Sequence, residues 1–511
     1  MPEWPDHILT RSMCWATLCL VRCVLVAKIV GGLSYVFTKL LQLFDVFAGG
    51  ILLPGDDEPF MFNAVLGGVL ADLVGHQALT AWKGPNAIRA CTRCANLNTR
   101  RAGKSDTEVD LTDHDDRLFL AATDEEIYLL IDNLQTLVES GALGSTAQDK
   151  LETELGFNHE PHGILLDRAM RGTYSPTQHP LTDWMHTFCQ DGVASVEMAL
   201  LLKRLASHHQ PPVTNPMVQT FINECTGPLG FAKVEGIWVE SKRLKGKALK
   251  AFSSMVIGLV PCLALLLTVY DVASQLPEEV ECFMLLADIF GILTLGPRES
   301  MRYIGRLRDL VIAHHRLFVK LYPDQVRPKL HHAHHVVSSM KQLGYLLACF
   351  VTERKHKLVN QFAVHTFRNF EHTTLVDVLQ QQCSHLASGH DLFQHELLVA
   401  PKHVHDHEGL ATSSHVVCHV GDVHNKDIMC TKSGVIAKAE SFWRLSDGPV
   451  HVRGQSLARE GADFALRNTR VTTPVCFEVA DILSICTWCF TDTDRGIIKV
   501  RLPPSLLLEA A

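Results

Sequence analysis

Residues 180–192 read PLTDWMHTFCQDG, and they place an aspartate and a histidine, Asp183 and His186, three positions apart. A carboxylate and an imidazole at this spacing are typical of a metal-binding pair or a catalytic pair. They are also typical of the first turn of a helix, where the helix dipole stabilises an acidic side chain. The motif alone does not decide between these interpretations, so its meaning depends on the segments around it.

The segments on both sides of this motif predict helices. Residues 123–144 place Thr123 as a helix N-cap with Glu126 three positions later, which is the spacing of a capping box. Apolar residues then repeat at helical spacing as far as Leu137. Further helices are predicted for residues 192–209, 277–295, 297–322 and 353–386. Residues 120–390 are therefore expected to be mainly helical.

The pattern changes near residue 400. Short runs rich in β-branched residues follow one another, such as SHVVCHVGD at 414–422 and PVHVRG at 449–454. Glycine and aspartate interrupt these runs, as is typical of strands joined by turns. Residues 400–511 are therefore predicted to form a small antiparallel β domain.

The composition limits the classes of protein that fit. A chain of 511 residues predicts two to four domains. The formal net charge of -8 argues against a surface that is basic all over, although lysine and arginine cluster at 241–250 and 353–357. The 16 cysteines show no pattern of a small secreted domain, which favours reduced thiols and a nuclear or cytoplasmic location.

Two apolar segments, residues 13–37 and 255–270, resemble membrane spans in composition. Arg22 and Lys28 interrupt the first segment, and a charge at the centre of a bilayer is costly. The second segment contains Pro261 and is shorter than the roughly 20 residues that a spanning helix needs. We expect both segments to be buried helices, with a membrane-associated helical protein as the alternative.

Cys91 and Cys94 have the spacing of half a zinc site, because two thiolates in a C-x-x-C motif fit one edge of a tetrahedron. A second C-x-x-C motif does not follow within 15–20 residues, which leaves two ligands to be found. His76 and His114 are the candidates for these ligands. The alternative is a pair of ordinary reduced thiols.

A dense histidine tract, KLHHAHHV, occupies residues 329–336. Such a tract can bind metal, but its position beside Arg327 and Lys329 favours a patch that faces solvent or nucleic acid. Further along, Glu353 starts a charged run with Arg354, Lys355 and Lys357. As a single motif, this run is more typical of a solvated helix face than of a magnesium and phosphate site.

Taken in order, residues 70–97, 181–202 and 327–363 resemble transposases of the cut-and-paste kind, with CACTA-like and hAT-like elements as the nearest groups. The resemblance covers about residues 60–375. It depends on the order of motifs: an acidic residue, C-x-x-C, D-x-x-H, K-x-H-H and E-R-x-H-K. This order is more specific than any single motif.

The resemblance implies an RNase H-like core whose sheet carries three acids that hold two Mg²⁺ or Mn²⁺ ions for DNA strand cleavage and transfer. It implies that Asp72 is the second catalytic acid and Glu353 the last. Asp183, Trp184 and His186 would support the site, and Cys91 and Cys94 would match the C-x-x-C motif of the family. The basic cluster of Arg327, Lys329, Arg354, Lys355, His356 and Lys357 is the candidate DNA-binding surface.

The expected architecture is α+β: an RNase H-like core, a large helical insertion and a C-terminal antiparallel β domain. The predicted parts are an apolar N-terminal segment (1–60), a core segment with the C-x-x-C motif (61–120), the insertion (121–325), the end of the core (326–395) and the β domain (400–511). No acid before Asp72 fits the first catalytic position, so the chain is expected to be N-terminally truncated and inactive in cleavage. A non-catalytic DNA- or protein-binding module on the same fold is the alternative, and homo-oligomerisation is left open.

Overall fold

A computed structural model of the chain has an N-terminal part of short elements, a helical middle and an antiparallel β part at its C-terminal end. The structure describes residues 15–55, 58–99, 108–227, 248–387, 396–404, 409–446, 448–460, 463–465, 473–492 and 497–503. The α+β class is therefore confirmed.

The N-terminal part consists of a helix of four residues, a helix of 17 residues, short strands and a third helix. Its elements are α1 (Cys23–Val26), α2 (Gly32–Ala48), β1 (Ile51–Leu53), β2 (Phe60–Phe62), β3 (Val69–Ala71), α3 (Leu73–Thr80), β4 (Leu97–Asn98) and β5 (Val109–Asp110). Helix α2 packs against α3 and buries Leu41 in a small core that also contains Trp82 and Ile127.

The expectation of a buried helix over residues 13–37 is wrong for residues 15–31, whereas residues 32–37 form the start of helix α2. Residues 15–31 contain only the four-residue helix α1, which buries no side chain. The chain then turns at Gly31 and Gly32, both with positive φ, and α2 starts there. Arg22 remains near the surface, where its guanidinium pairs with Glu371 at 2.5 Å.

The middle part is helical, as predicted. Its elements are α4 (Asp124–Glu139), α5 (Ser145–Leu155), β6 (Pro180–Thr182), α6 (Trp184–Phe188), α7 (Val193–His208), α8 (Asn215–Glu224), α9 (Ser253–Val269), α10 (Pro277–Leu293), α11 (Glu299–Arg302), α12 (Ile304–Leu321), α13 (Pro328–Leu343), α14 (Phe350–Ala363) and α15 (Phe370–Ala387). The capping box of Thr123 and Glu126 is present at the start of α4. The region predicted as one helix over 297–322 divides at Tyr303, and the helical region 353–386 divides between α14 and α15.

The largest apolar core lies among α7, α9, α10, α12 and α13. Helix α9 includes residues 255–269 and has ten buried residues, nine of which belong to this core, so the prediction of a buried helix for this segment is confirmed. No helix in the described ranges combines the length and the apolar character that crossing a membrane requires.

Three separate two-stranded sheets precede residue 396 in the described part of the chain: β1–β2, β3–β6 and β4–β5. The β3–β6 pair is parallel, with Ala71 opposite Thr182, although more than a hundred residues separate the two strands in sequence. The residue after each strand is an aspartate, Asp72 and Asp183 respectively. The pairing therefore brings the two aspartates to the same edge of this small sheet.

The C-terminal part is antiparallel throughout its described strands. They are β7 (Leu397–Leu398), β8 (Lys402–His403), β9 (Leu410–Ser413), β10 (His415–Cys418), β11 (Gly421–His424), β12 (Ile428–Thr431), β13 (Ile436–Leu445), β14 (Val450–Ser456), β15 (Ala458–Glu460), β16 (Asp463–Ala465), β17 (Pro474–Glu478), β18 (Ile482–Ile485), β19 (Trp488–Asp492) and β20 (Ile497–Val500). A seven-stranded sheet has the central order β17–β14–β13–β12–β18. The predicted antiparallel character is therefore confirmed.

The β part packs directly on the helical part. Thr226 and Trp488 exchange two backbone hydrogen bonds of 2.8 and 2.9 Å, and Arg501 pairs with Asp288 on α10. Cys489 on β19 is 1% exposed and belongs to the core of the helical part.

Candidate metal centre and adjoining acidic site

Two cysteines and two histidines from distant segments meet in the interior. His335 Nε2 lies 3.1 Å from Cys91 Sγ and 3.4 Å from Cys94 Sγ. His331 Nε2 lies 3.6 Å from Cys94 Sγ and 3.0 Å from His335 Nε2. We call these four residues the Cys2His2 cluster. All four of its members are buried.

Local structure explains how the two cysteines and the two histidines are each brought to one side of their own segment. Cys91 and Cys94 lie in the loop between α3 and β4, where their spacing directs both thiols to one side. His331 and His335 are four residues apart on α13, so their imidazoles share one face of the helix. The two halves are tied together by Arg93, whose Nη1 donates to Ser339 Oγ at 3.0 Å.

The distances in the cluster suit a tetrahedral metal ion. With zinc bond lengths of about 2.3 Å to sulfur and about 2.0 Å to nitrogen, the ligand atoms lie roughly 3.3–3.7 Å apart. The observed separations of 3.0 to 3.6 Å are close to this range without any rearrangement. The cluster can therefore hold a metal ion such as zinc.

The environment favours the metal-binding state of one thiol and of His335, whereas the hydrogen bond with Cys91, together with burial, raises the pKa of Cys94, whose proton zinc would have to displace. Burial lowers the pKa of His335, so this imidazole is neutral and keeps a lone pair. Burial opposes ionisation of Cys91, but hydrogen bonds from Cys94 and the two histidines outweigh it and hold the pKa of this thiol well below its usual value. A thiolate and a neutral imidazole are the forms in which these side chains bind metals.

Two expectations about the cluster are wrong. His76 and His114 do not complete it: His76 Nε2 is 3.0 Å from the Leu181 carbonyl oxygen, and the His114 ring packs against His315. The histidine tract does not face solvent, because His331, His332, His334 and His335 are 1% to 9% exposed. Two histidines four residues apart, combined with a C-x-x-C motif, are the sequence signal that identifies this donor set.

A second group of functional residues forms where β3 and β6 end. Asp72 caps α3, and its Oδ1 accepts a hydrogen bond from Gly75 N at 2.5 Å. Asp183 caps α6 in the same way, because its carboxylate accepts from the backbone of Met185 and His186. The structure therefore confirms that Asp183 starts a helix turn, one of the interpretations open from sequence.

Asp183 has a wider role than capping. Its carboxylate also accepts a hydrogen bond of 2.8 Å from Cys349 N, just before α14, and contacts His186 Nδ1 at 2.6 Å. The side chain of Asp183 is 1% exposed. Because these donors occupy the carboxylate, Asp183 positions its neighbours and is not available to bind a ligand from solvent.

His186 connects this group to the acid on α14. His186 contacts Asp183 through Nδ1 and approaches the acid on α14 through Nε2. This Nε2 lies 3.8 Å from Oε1 of Glu353, whose side chain is 52% exposed. Trp184, 5% exposed, packs its ring against Phe350 at the start of α14. The structure thus brings together Asp183, His186 and Glu353 across 170 residues of sequence.

One cavity joins the two groups. It has a volume of about 60 Å³, is open to solvent and is lined by Asp72, Asp183, His186, Lys329 and His335, among others. Lys329 points its Nζ to the Gln190 carbonyl oxygen at 2.6 Å. Cys91 and His335 of the metal cluster therefore lie in the wall of the same cavity as Asp72 and Asp183, whereas Glu353 is not among the lining residues.

The other predicted DNA-binding residues lie on or beside α13 and α14. Arg327 precedes the first residue of α13, and Arg354, His356 and Lys357 are exposed on α14. Lys355 Nζ contacts Thr17 Oγ1 at 3.2 Å. Their assignment to DNA contacts stays a prediction, because the structure contains no nucleic acid with which to test it.

Buried histidines around the cluster predict sensitivity to acid. Burial lowers the pKa of His315 and of His332 to about 3, from an ordinary value of 6.5. In the window from about 6.5 down to about 3, the unfolded chain binds these protons and the folded chain does not, so stability falls as pH falls, by up to about 1.4 kcal/mol per pH unit for each histidine. Urea unfolding between about pH 7 and about pH 5 measures this slope.

The variant His315→Gln isolates one of these protons. Glutamine keeps a donor for the Leu111 carbonyl, which accepts from His315 Nε2 at 3.0 Å. In this variant we expect the slope of unfolding free energy against pH to decrease by about 1.4 kcal/mol per pH unit, which corresponds to one proton. An unchanged slope would show that His315 titrates alike in the folded and unfolded chain.

Comparisons of the chain with known protein families, with curated proteins and with solved structures find no match. The resemblance to transposases and the roles that it implies for Asp72 and Glu353 therefore stay predictions. The geometry of the Cys2His2 cluster and of the acidic residues is what carries the functional argument.

Proposed function

We propose that this chain is a transposase-derived DNA-binding protein that carries a structural zinc ion and an incomplete metal-dependent cleavage centre. The proposal includes an RNase H-like ancestry for the segments that contain Asp72, Asp183 and Glu353. It is supported by geometry within the chain, and DNA is the substrate that the order of motifs implies.

The observation that carries the proposal is the convergence of four motifs on one cavity. Asp72 and Asp183 follow paired parallel strands, and Glu353 joins them through His186. Cys91 and His335 of the Cys2His2 cluster line the same cavity. Chance does not readily bring the motifs of one predicted site to one cavity when as many as 263 positions, from Asp72 to His335, separate them in the chain numbering.

The zinc ion is assigned a structural role. Cys91, Cys94, His331 and His335 supply four protein ligands, and a site closed in this way leaves no position for substrate. Two thiolates also neutralise the charge of the ion, which suits a buried location. The cluster would therefore link helix α13 to the loop that follows α3, and it would hold the acidic residues in their relative positions.

Asp72 and Glu353 are the residues assigned to a catalytic Mg²⁺ or Mn²⁺. Their carboxylate oxygens are the ligand type that these ions prefer, and the ion would polarise a DNA phosphate and lower the pKa of an attacking water. His186, held by Asp183, lies with its Nε2 3.8 Å from Glu353 Oε1 and would attract this carboxylate when protonated. Asp183 also lines the cavity, but hydrogen bonds already occupy its carboxylate, so the third carboxylate of a complete centre is not supplied by the described lining residues.

DNA would approach over α13 and α14. Lys329 lies at the cavity, Arg327 lies next to it in sequence, and His356 and Lys357 are exposed on α14. Cations in this arrangement can neutralise phosphates on both sides of the acidic residues. This local basic surface is compatible with the net charge of -8 because it occupies one face only.

We expect the full chain to bind labelled duplex DNA with an affinity that decreases steeply with salt. The double variant Arg327→Ala/Lys357→Ala should weaken binding and reduce the slope of log affinity against log salt by about two. Lys150→Ala removes an exposed lysine of α5 and serves as the matched control, for which we expect no change in slope. Equal slopes in all three proteins, or no binding by the full chain, would refute the DNA interface.

We expect incubation of the same DNA with Mn²⁺ or Mg²⁺ to give no cleavage above that of Glu353→Ala. The reason is that a two-metal centre that lacks one carboxylate loses a bridging ligand. If the full chain cleaves DNA and Glu353→Ala does not, the centre is complete and the expectation of an inactive protein is wrong. Binding without cleavage supports a retained DNA-binding scaffold.

A further inference from the structure

A second cluster of potential metal ligands lies inside the helical part. It consists of Glu197 on α7, Cys282 on α10 and His314 on α12, and these residues are 0% to 2% exposed. One ligand atom from each lies within 4.8 Å of the others. Apolar residues of the largest core surround the cluster, and it shares no residue with the Cys2His2 cluster.

One carboxylate oxygen in this cluster is a poorly satisfied hydrogen-bond acceptor. His314 Nε2 contacts Oε2 of Glu197 at 2.6 Å, which is a strong hydrogen bond. The other oxygen, Oε1, is buried and accepts no N–H or O–H hydrogen bond in the described part of the chain, and the thiol of Cys282, a weak donor, is the further group that interacts with Glu197. A buried carboxylate oxygen without a strong donor is costly, so the structure favours a cation or donor at this position.

We propose that Glu197, Cys282 and His314 bind a second zinc ion. Both oxygens of Glu197, Sγ of Cys282 and Nε2 of His314 provide four donor atoms of the types that zinc prefers. One carboxylate, one thiolate and one neutral imidazole balance the double charge of the ion. The bound site is therefore neutral, which an apolar core tolerates far better than an isolated carboxylate.

Binding requires a small adjustment and the release of protons. Ligand oxygen and nitrogen atoms on one zinc ion lie about 3.3 Å apart, so the contact between Glu197 and His314 must open by roughly 0.7 Å. Burial, followed by the charge of Glu197, raises the pKa of Cys282 well above its usual value. Zinc must displace this thiol proton, and the affinity of the site is expected to increase with pH.

The site links three helices of the same core, since α10 packs against α12 and α7 packs against α10. A zinc ion there would stabilise the helical part separately from the cavity and its acidic residues. The proposal does not depend on DNA binding, and it survives if the proposed function fails.

The first test is the zinc content of the purified full chain after dialysis, measured by inductively coupled plasma mass spectrometry. We expect two ions per chain, and one ion in Cys91→Ser/Cys94→Ser. We also expect one zinc ion per chain in Glu197→Gln. The control is Glu152→Gln, which alters a different buried carboxylate that pairs with Lys83, and we expect it to keep two zinc ions. One ion in the full chain, and none in Cys91→Ser/Cys94→Ser, would overturn the proposal.

The second test avoids variants of the first cluster. The zinc-free full chain is titrated with Co²⁺, and the absorption of thiolate-bound cobalt is followed. We expect two equivalents for the full chain, one for Cys282→Ser and two for Cys262→Ser, which changes a buried cysteine of α9. Two equivalents in Cys282→Ser, or one equivalent in the full chain, would show that Glu197 and His314 form only a hydrogen-bonded pair.

Discussion

Replacing Cys91 and Cys94 with serine is expected to remove one zinc ion per chain and to lower the free energy of unfolding by more than about 5 kcal/mol. Structural zinc sites contribute on the order of 10 kcal/mol of binding free energy to the folded state, and serine does not replace a thiolate as a ligand. The ligands come from positions 237 to 244 residues apart, so the loss also releases the loop after α3 from α13. Zinc content and thermal unfolding of the variant measure both effects.

The matched control is Cys418→Ser/Cys430→Ser, which changes two buried cysteines of the β part, on β10 and β12. We expect the control to keep its zinc and to lose only about 1–3 kcal/mol from buried polar groups. Chelation of the unaltered chain should reproduce the loss of stability seen in Cys91→Ser/Cys94→Ser. Equal stability of both double variants would refute a structural metal at the Cys2His2 cluster.

Asp183→Ala is expected to lower the free energy of unfolding by about 3–5 kcal/mol, because each buried donor that loses its acceptor costs about 1–3 kcal/mol. The substitution leaves the backbone donors of Met185, His186 and Cys349 without an acceptor in the interior. It also frees His186, whose Nδ1 loses its contact of 2.6 Å. Urea unfolding at neutral pH measures the change.

Asp167→Ala provides the comparison, because Asp167 caps a short 3-10 helix through one exposed hydrogen bond of 3.0 Å to Ala169 N. We expect a loss of about 1 kcal/mol there, as for an ordinary cap. The loss of unfolding free energy in Asp183→Asn should lie between the losses in Asp183→Ala and Asp167→Ala, since an amide retains one acceptor oxygen but no charge. If Asp183→Ala costs no more than Asp167→Ala, Asp183 is only a helix cap and does not organise the site.

Short-range patterns predicted most of the helices correctly. The capping box of Thr123 and Glu126 and the apolar repeat that follows depend on residues within two turns of one another. The antiparallel β part was predicted from equally local alternation and turn residues. The prediction failed at residues 15–31, where apolar composition suggested burial and the chain instead turns at Gly31 and Gly32.

The candidate site was predicted in fragments. Its cysteines were identified from their spacing, and Asp183 with His186 was identified as a pair. The remaining ligands were predicted incorrectly. His76 and His114 were chosen because they are near the cysteines in sequence, whereas the histidines that contact the cysteines in the structure, His331 and His335, are much further along the chain. Nearness along the chain says little about contact once a helical part of about two hundred residues lies between two segments.

The sequence by itself determined the α+β class, the helical middle, the β part and the types of ligand that Cys91 and Cys94 offer. The tertiary structure alone decided that His331 and His335 turn inward to meet the thiols, and that Asp183 reaches Cys349 as well as its own helix. The physical reason is that helix caps and apolar repeats depend on neighbours within a few residues. The choice of metal ligands and buried hydrogen-bond partners depends on how α13 and the β3–β6 pair pack, which only the folded chain settles.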